Sequence, residues 1–259
     1  MSIQEESYVY RLPDNLVYGR NPVIEAFQAG KEFEKLFVQK GLGGDAIKTI
    51  LQYSHQQETL VQMVPIEKLN RLTGNKNHQG VAGFTSLIKY YELEDILSEA
   101  YNSANPPLLL ICDGITDVGN FGAMARTAAC TGVNGIIIPQ KGAATISAEA
   151  IKASSGALYE IPVCKVRFLD RSIHYLQENG VQVIATDISA QKWIHQTDLT
   201  IPTAIIMGAE GKGVSPVFMK MANEKAKIPM TGNFNSYNVS VATGIILYET
   251  LRQRLIQMG

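Results

Sequence analysis

Runs of almost pure aliphatic residues set the strongest constraint on this chain. Leu108-Leu-Leu-Ile-Cys112 and residues 136–138, 181–186 and 203–207 follow one another, separated by 23, 42 and 16 residues. A strand with one face in water alternates apolar and polar side chains. Runs without that alternation mark strands covered on both faces, the condition of a parallel sheet in an α/β fold. Ligands of such sheets sit beyond the carboxyl ends of the strands. The residues that matter are therefore expected after Cys112, Met207 and Pro229.

The rest of the chain fits around these runs. Downstream, helices are expected over residues 120–131, 147–158, 170–179, from Ser215, and over 237–254, with further strands at 161–166 and 226–229. Upstream, Asn21-Pro22 opens a helix that Gly30 closes. Strands at 36–39, 61–64 and 79–84 alternate with helices at 45–55 and 66–72, a second and smaller α/β module. Between the modules an acidic helical piece, 92–101, runs into Asn105-Pro-Pro107, which disfavours helix. The expected organisation is a tail (1–16), a small domain (17–88), a linker (89–105) and a large domain (106–259).

Composition excludes several classes. Of the 259 residues, 46% are hydrophobic and 18% charged, a globular balance rather than a disordered one. The aliphatic runs fall far short of the ~20 residues of a membrane helix. The start, MSIQEESYVY, lacks a basic-then-apolar signal pattern, and Cys112, Cys130 and Cys164 lie in apolar stretches without metal-ligand spacing. A cytoplasmic protein without disulfides, structural metal or membrane partner is expected. The net charge of −1 does not advertise a nucleic-acid partner. It hides a distribution: +3 over 17–90, −4 over 91–100 and +2 over 101–259.

Three loops carry polar residues where a ligand is expected. The first runs Asp113-Gly-Ile-Thr-Asp-Val-Gly-Asn-Phe-Gly-Ala-Met-Ala-Arg126. Asn120 can cap the helix that follows, and Arg126, two turns in, is on its own as well explained by a surface salt bridge. The second, Met207-Gly-Ala-Glu-Gly-Lys-Gly213, puts glycines where unusual backbone angles or close approach are needed, with Glu210 as loop brace or ligand contact. It is neither a dinucleotide fingerprint nor a P-loop. The third is Ile228-Pro-Met-Thr-Gly232, followed by Ser236-Tyr-Asn-Val-Ser-Val-Ala242, in which Ser236 can cap the closing helix.

Together and in this order the loops resemble the three motifs of the SpoU (TrmH-like) branch of the SPOUT RNA methyltransferases, over residues 106–255. Residues 18–27, Tyr-Gly-Arg-Asn-Pro-Val-Ile-Glu-Ala-Phe, and His78-Gln-Gly-Val81 are similar to the ends of the RNA-binding domain attached to one subgroup. That domain resembles small ribosomal α/β proteins, and the subgroup methylates a guanosine ribose in the peptidyl-transferase loop of large-subunit rRNA. Two departures stand out. Asp117-Val-Gly119 replaces the usual Asp-Pro, and Ser236-Tyr-Asn238 the usual Ser-Leu-Asn. Neither is expected to abolish function.

The resemblance implies a parallel sheet with a deep trefoil knot, a homodimer through the closing helix, and S-adenosylmethionine as cofactor. It implies cofactor contacts from Met207, Gly208, Gly211, Ile228, Met230, Tyr237, Asn238 and Val239, with Gly213 allowing close backbone passage. It assigns Arg126, Asn120, Glu210, Ser236 and Asn238 to the reaction, and no metal. Arg126 either removes the 2′-hydroxyl proton or positions RNA and stabilises the developing alkoxide; an arginine that stays protonated favours the second. Arg20, Lys76, His78 and Arg126 are expected to contact RNA, with Asn77 beside them, although His78 is equally well a loop residue. Tyr90, Tyr91 and Trp193 can stack on bases, though packing is the commoner role. The alternatives are a tRNA 2′-O-methyltransferase of the family, a resistance methylase acting at another rRNA site, or a catalytically silent ribosome-assembly factor. A dehydrogenase is disfavoured by the missing fingerprint.

Overall fold

Every residue of the run Leu108–Asp113 is buried, as a strand covered on both faces requires. This was established in a computed structural model that describes residues 12–232 and 236–258. The chain divides into two compact units, 1–87 and 88–259.

The first unit contains β1 (Leu16–Tyr18), α1 (Arg20–Gln28), β2 (Phe33–Gln39), α2 (Asp45–Gln56), β3 (Val61–Val64), α3 (Ile66–Thr73) and β4 (Val81–Thr85). Its sheet runs β1-β4-β2-β3, with β2 and β3 parallel and the other pairs antiparallel. Val23 and Phe27 of α1, with Ile47 and Ile50 of α2, pack against Leu36, Val38 and Val81. Leu69 of α3 packs with Phe37, Val64 and Ala82. Alternate residues of one strand thus serve two cores.

The second unit opens with α4 (Leu93–Asn102), β5 (Leu108–Asp113), α5 (Val118–Cys130), β6 (Gly135–Pro139), α6 (Ala148–Ala153), β7 (Val163–Val166) and α7 (Leu169–Glu178). It continues through β8 (Gln182–Thr186), β9 (Lys192–Trp193), β10 (Thr203–Gly208), α8 (Pro216–Met221), β11 (Glu224–Lys227) and α9 (Val239–Met258). The seven strands are all parallel, in the order β7-β6-β5-β10-β8-β11-β9. Leu93, Ile96 and Leu97 of α4 and Ile173 and Leu176 of α7 cover Leu109, Ile111, Ala204 and Ile206. Leu108, Leu110, Ile205 and Met207, which alternate with these along the strands, are equally buried, and α5 and α9 pack on each other. No helix among the described residues is long and apolar enough to cross a membrane.

Two expectations need correction. Residues 89–105 are not a free connector: α4 supplies four buried side chains to the second unit, and Tyr90 bridges to Val163. The helix expected over 147–158 stops at Ala153, because Ser155 and Gly156 take φ of 52° and 87°, and only a short 3-10 turn, Ala157–Tyr159, follows. The two shortest strands, β1 and β9, are too brief to leave a periodic signal.

Arg254 near the end of α9 shows how that helix is held. It is 7% exposed, and its guanidinium donates to four backbone carbonyls: Leu199 from Nε (3.0 Å), Pro107 (3.1 Å) and Ile201 (3.1 Å) from Nη2, and Pro106 from Nη1. Arg254→Met is expected to cost about 3–5 kcal/mol, because it strands several buried carbonyls at once. Arg254→Lys should recover only part, since an ammonium lacks the fork. Denaturation followed by the fluorescence of Trp193, the only tryptophan, measures both.

Candidate active site at the carboxyl edge of the sheet

The carboxyl ends of β8, β10 and β11 open into a cleft of about 590 Å³. This lies within the range of small-molecule sites. The loop after β10 forms one wall, and Ala226 to Ile228 with Met230 another. Tyr237, Val239, Ala242 and Ile246, from the start of α9 and its first turns, close the third side. Of the residues assigned to cofactor contact, Met207, Gly208, Gly211, Ile228, Met230, Tyr237 and Val239 line it. Asn238 does not appear on its wall.

Gly208 has a steric reason to be glycine. A Cβ built there would lie 2.0 Å from the Gly213 carbonyl carbon and 2.1 Å from the Val214 nitrogen. The turn between them doubles back on itself: the Gly213 N–H donates to the Ala209 carbonyl at 2.8 Å. Gly211 (φ 78°) and Gly213 (φ 68°) are glycines for backbone conformation instead, with open space beside them. Beyond the turn, the Ser215 N–H donates to Asp113 Oδ2 at 2.6 Å and ties this loop to the end of β5.

Hydrogen bonds join the three loops. Asn238 Nδ2 donates to Asn120 Oδ1 (3.0 Å), and Asn120 Nδ2 reaches Glu210 Oε2 at 3.5 Å. One asparagine thus uses both ends of its amide to hold residues 90 and 118 positions away. Both expected caps are displaced. Asp117, not Asn120, caps α5 by accepting from the Asn120 N–H at 2.7 Å. Asn238, not Ser236, caps α9, its Oδ1 accepting from the Ser240 N–H (2.9 Å) and hydroxyl (2.6 Å). The cap belongs to the side chain next to the first helical turn, and Ser236 lies two residues too far back. Ser236 lines the cleft instead.

Arg126 is exposed, and among the described residues it has no hydrogen-bond or ion-pair partner. The salt-bridge explanation for it falls. It stands six residues, about 9 Å, along α5 from Asn120 and is not part of the cleft wall. The loop after β8 was not anticipated: Thr186, Asp187 and Ile188 line the cleft. The Ser189 hydroxyl (2.6 Å) and N–H (3.0 Å) hold the Asp187 carboxyl below the usual carboxylate range. The aliphatic run before it was a signal, since it too ends at the carboxyl edge of the sheet. Trp193 carries Lys227 against its ring at 4.6 Å. Among the described residues, no three His, Cys, Asp or Glu side chains are grouped to hold a metal.

In the first unit, the Arg20 N–H and Nε donate to Gln79 Oε1 (3.0 Å) and the Gln79 carbonyl (3.1 Å). The loop 74–80 is thereby fastened to the start of α1, with Lys76 and Asn77 exposed on it. His78 is turned into the fold. It is 6% exposed, its Nδ1 accepts from the Gly80 N–H (2.9 Å), and Nε2 donates to Asn70 Oδ1 (2.9 Å). Burial lowers its pKa below 6.5, so the folded state favours the neutral ring. Stability contributed by His78 is present above pH ~6.5 and lost as pH falls below it towards the depressed value. Thermal unfolding of the wild type should show this acid sensitivity, and His78→Gln should flatten it.

The comparisons with known proteins agree with this geometry. Residues 107–248 match the SpoU rRNA Methylase family and residues 16–91 the RNA 2′-O ribose methyltransferase substrate binding domain. A TrmH family tRNA/rRNA methyltransferase of Staphylococcus aureus is 35% identical over 94% of this chain and 98% of its own length. A tRNA/rRNA methyltransferase of Synechocystis sp. is 35% identical over 93% of this chain, which spans only 63% of that relative. An AdoMet-bound rRNA methyltransferase from Sinorhizobium meliloti superposes with a TM-score of 0.57, at 26% identity over 92% of this chain and 86% of that one. A parallel sheet whose carboxyl-edge loops wall a cleft, joined to these matches, defines an S-adenosylmethionine-dependent RNA methyltransferase. The chain belongs to the SpoU rRNA Methylase family.

Proposed function

We propose that the protein methylates a ribose 2′-oxygen of RNA, at a guanosine of large-subunit rRNA. The observation that carries this reading is the Glu210–Asn120–Asn238 chain of hydrogen bonds, which gathers all three motif loops at the cleft. The matched substrate-binding domain supports an RNA substrate, and its residues 17–88 take the RNA-binding role through Arg20 and Lys76. The tRNA alternative has the support of relatives named for both RNAs.

The cleft suits S-adenosylmethionine. Met207, Ile228, Met230, Val239 and Ile246 offer apolar and polarisable surface, and the glycine-rich backbone offers N–H and carbonyl groups. When bound, the cofactor supplies a methyl group activated by its sulfonium. Gly208 lets the backbone at 213–214 cross directly against it, which supports the trefoil knot expected of the family. Asn120, Glu210, Ser236 and Asn238 orient the ribose beside the cofactor. Arg126 holds the RNA phosphate and stabilises negative charge growing on the 2′-oxygen. Its exposure, and its place outside the cleft wall, suit a site completed in a homodimer. Val241 (50% exposed), Tyr248 (63%) and Leu255 (56%) lie along one face of α9 and suit the dimer contact.

The test is incubation with unmodified rRNA and tRNA and methyl-labelled S-adenosylmethionine, followed by mass spectrometry mapped by position. Label on one large-subunit guanosine ribose is expected. Label confined to tRNA would keep the chemistry and replace the substrate, and transfer to no RNA would overturn the reading.

A further inference from the structure

The outer edge of β7 carries a cluster of cations laid against aromatic rings. Lys89 Nζ lies 4.8 Å from the Tyr91 ring centre, Lys165 Nζ 4.6 Å from that of Tyr90, and the Arg167 and Arg171 guanidinium carbons 5.1 and 4.6 Å from that of Phe168. Tyr90 bridges to Val163 beside the strand, and Phe168 follows its far end. Such pairs occur about once in 70–80 residues, so four at one strand edge are a concentration rather than background. Tyr91 is 39% and Phe168 44% exposed, where burial alone gives no reason for an aromatic.

Long cationic side chains lose rotamer freedom when they grip a ligand. A ring that already holds the cation removes part of that loss, and the exposed rings and guanidinium planes are surfaces on which bases stack. From Val163 to Phe168 the edge spans about 17 Å at strand spacing, room for about five stacked nucleotides at 3.4 Å each. At the Phe168 end a cavity of about 380 Å³ opens between the ends of β5, β6 and β7, with Lys141, Arg167 and Gly114 on its lining. Gly114 stands against Ala209, which also walls the main cleft. Carboxylates are present too: Glu92 and Glu94 act on Cys164 of β7, and Asp113 and Asp170 line the cavity. Five cations stand against these four.

We propose that the β7 edge is a track for the backbone of the single-stranded RNA that flanks the reacting nucleotide, with Lys89, Lys165, Arg167 and Arg171 as its phosphate contacts. This rests on the reading of the chain as an RNA methyltransferase. The full-length Lys89→Gln/Lys165→Gln/Arg171→Gln variant is compared with wild type for binding of a mixed-sequence single-stranded RNA oligonucleotide across a salt series. The expected result is a Kd raised at least tenfold near 0.1 M salt, and a slope of log K against log salt shallower by about 2, from three lost phosphate contacts. KM for the methylated RNA should rise with kcat within about twofold, and S-adenosylmethionine affinity should stay unchanged. A Lys89→Arg/Lys165→Arg/Arg171→Lys variant, which keeps the charge, should retain most of the binding. Unchanged RNA affinity and salt slope in the glutamine variant would overturn the track while leaving the methyl transfer standing. Weakened RNA binding alongside a wild type that methylates no RNA would uphold the track and overturn the proposed function.

Discussion

Arg126→Ala should lower the single-turnover rate of methyl transfer by about 10³-fold, in line with the loss of a charged group that stabilises the developing oxyanion. S-adenosylmethionine affinity should not change, because Arg126 is not part of the cleft wall. Stability should not change either, since the side chain is exposed and without a partner among the described residues. Those two controls separate a chemical role from a structural one. Arg126→Lys retains the charge but not the planar fork, so it should recover little. A lysine variant with a near-normal rate would remove Arg126 from the mechanism as base and as electrostatic group alike. Rapid-quench assays with enzyme in excess over RNA give the rate free of product release.

Gly208→Ala should abolish measurable cofactor binding, a loss of 100-fold or more in affinity, and lower the melting temperature. The added methyl would lie 2.0 Å from a backbone carbon, where unbonded carbons prefer about 3.5–4 Å. The obstacle is main chain, so no rotamer change relieves it. Gly208 itself is pinned in the middle of the sheet, in register with Asp113 of β5. The segment at 213–214 must therefore move, taking with it the turn that walls the cleft and the Ser215–Asp113 hydrogen bond. Gly211→Ala is the informative control. Its site is open and only its φ of 78° opposes a side chain, a cost of about 1–2 kcal/mol. Calorimetric titration with S-adenosylmethionine should rank the two variants in that order. Equal effects would mean that the turn's conformation, and not the crossing of the chain, is what glycine serves at 208.

Much of this architecture is legible in the sequence, and the rest is illegible for identifiable reasons. The aliphatic runs at 108–112 and 203–207 announce buried strands because two-sided burial leaves no place for polar alternation. The segment 89–105 shows how pattern reading goes astray: its acidic residues and Asn-Pro-Pro suggest a connector. Yet Leu93, Ile96, Leu97 and Ala100 repeat at helical spacing and are all buried. The caps of α5 and α9 show another limit. Asp117, Asn120, Ser236 and Asn238 are all residue types that cap, and only the backbone path decides which side chain faces the free N–H groups. His78 is open to two readings in the sequence, RNA contact or loop residue. Burial and two internal hydrogen bonds leave it no free nitrogen.

The motifs, the two α/β modules and the burial of the strands follow from local composition and spacing, because each depends on residues close together in the chain. The order β7-β6-β5-β10-β8-β11-β9 does not, since it inserts β10 beside a strand almost a hundred positions earlier. The same holds for Asn120 meeting Glu210 and Asn238, for Asp187 arriving at the cleft, and for the backbone of 213–214 pressing on Gly208. Those contacts exist only after distant segments are brought together at the carboxyl edge of one sheet. Hydrophobic patterning says which face of a segment is buried but not against which partner. That choice is made by packing and hydrogen-bond satisfaction in the folded chain, and it is there that the candidate active site is assembled.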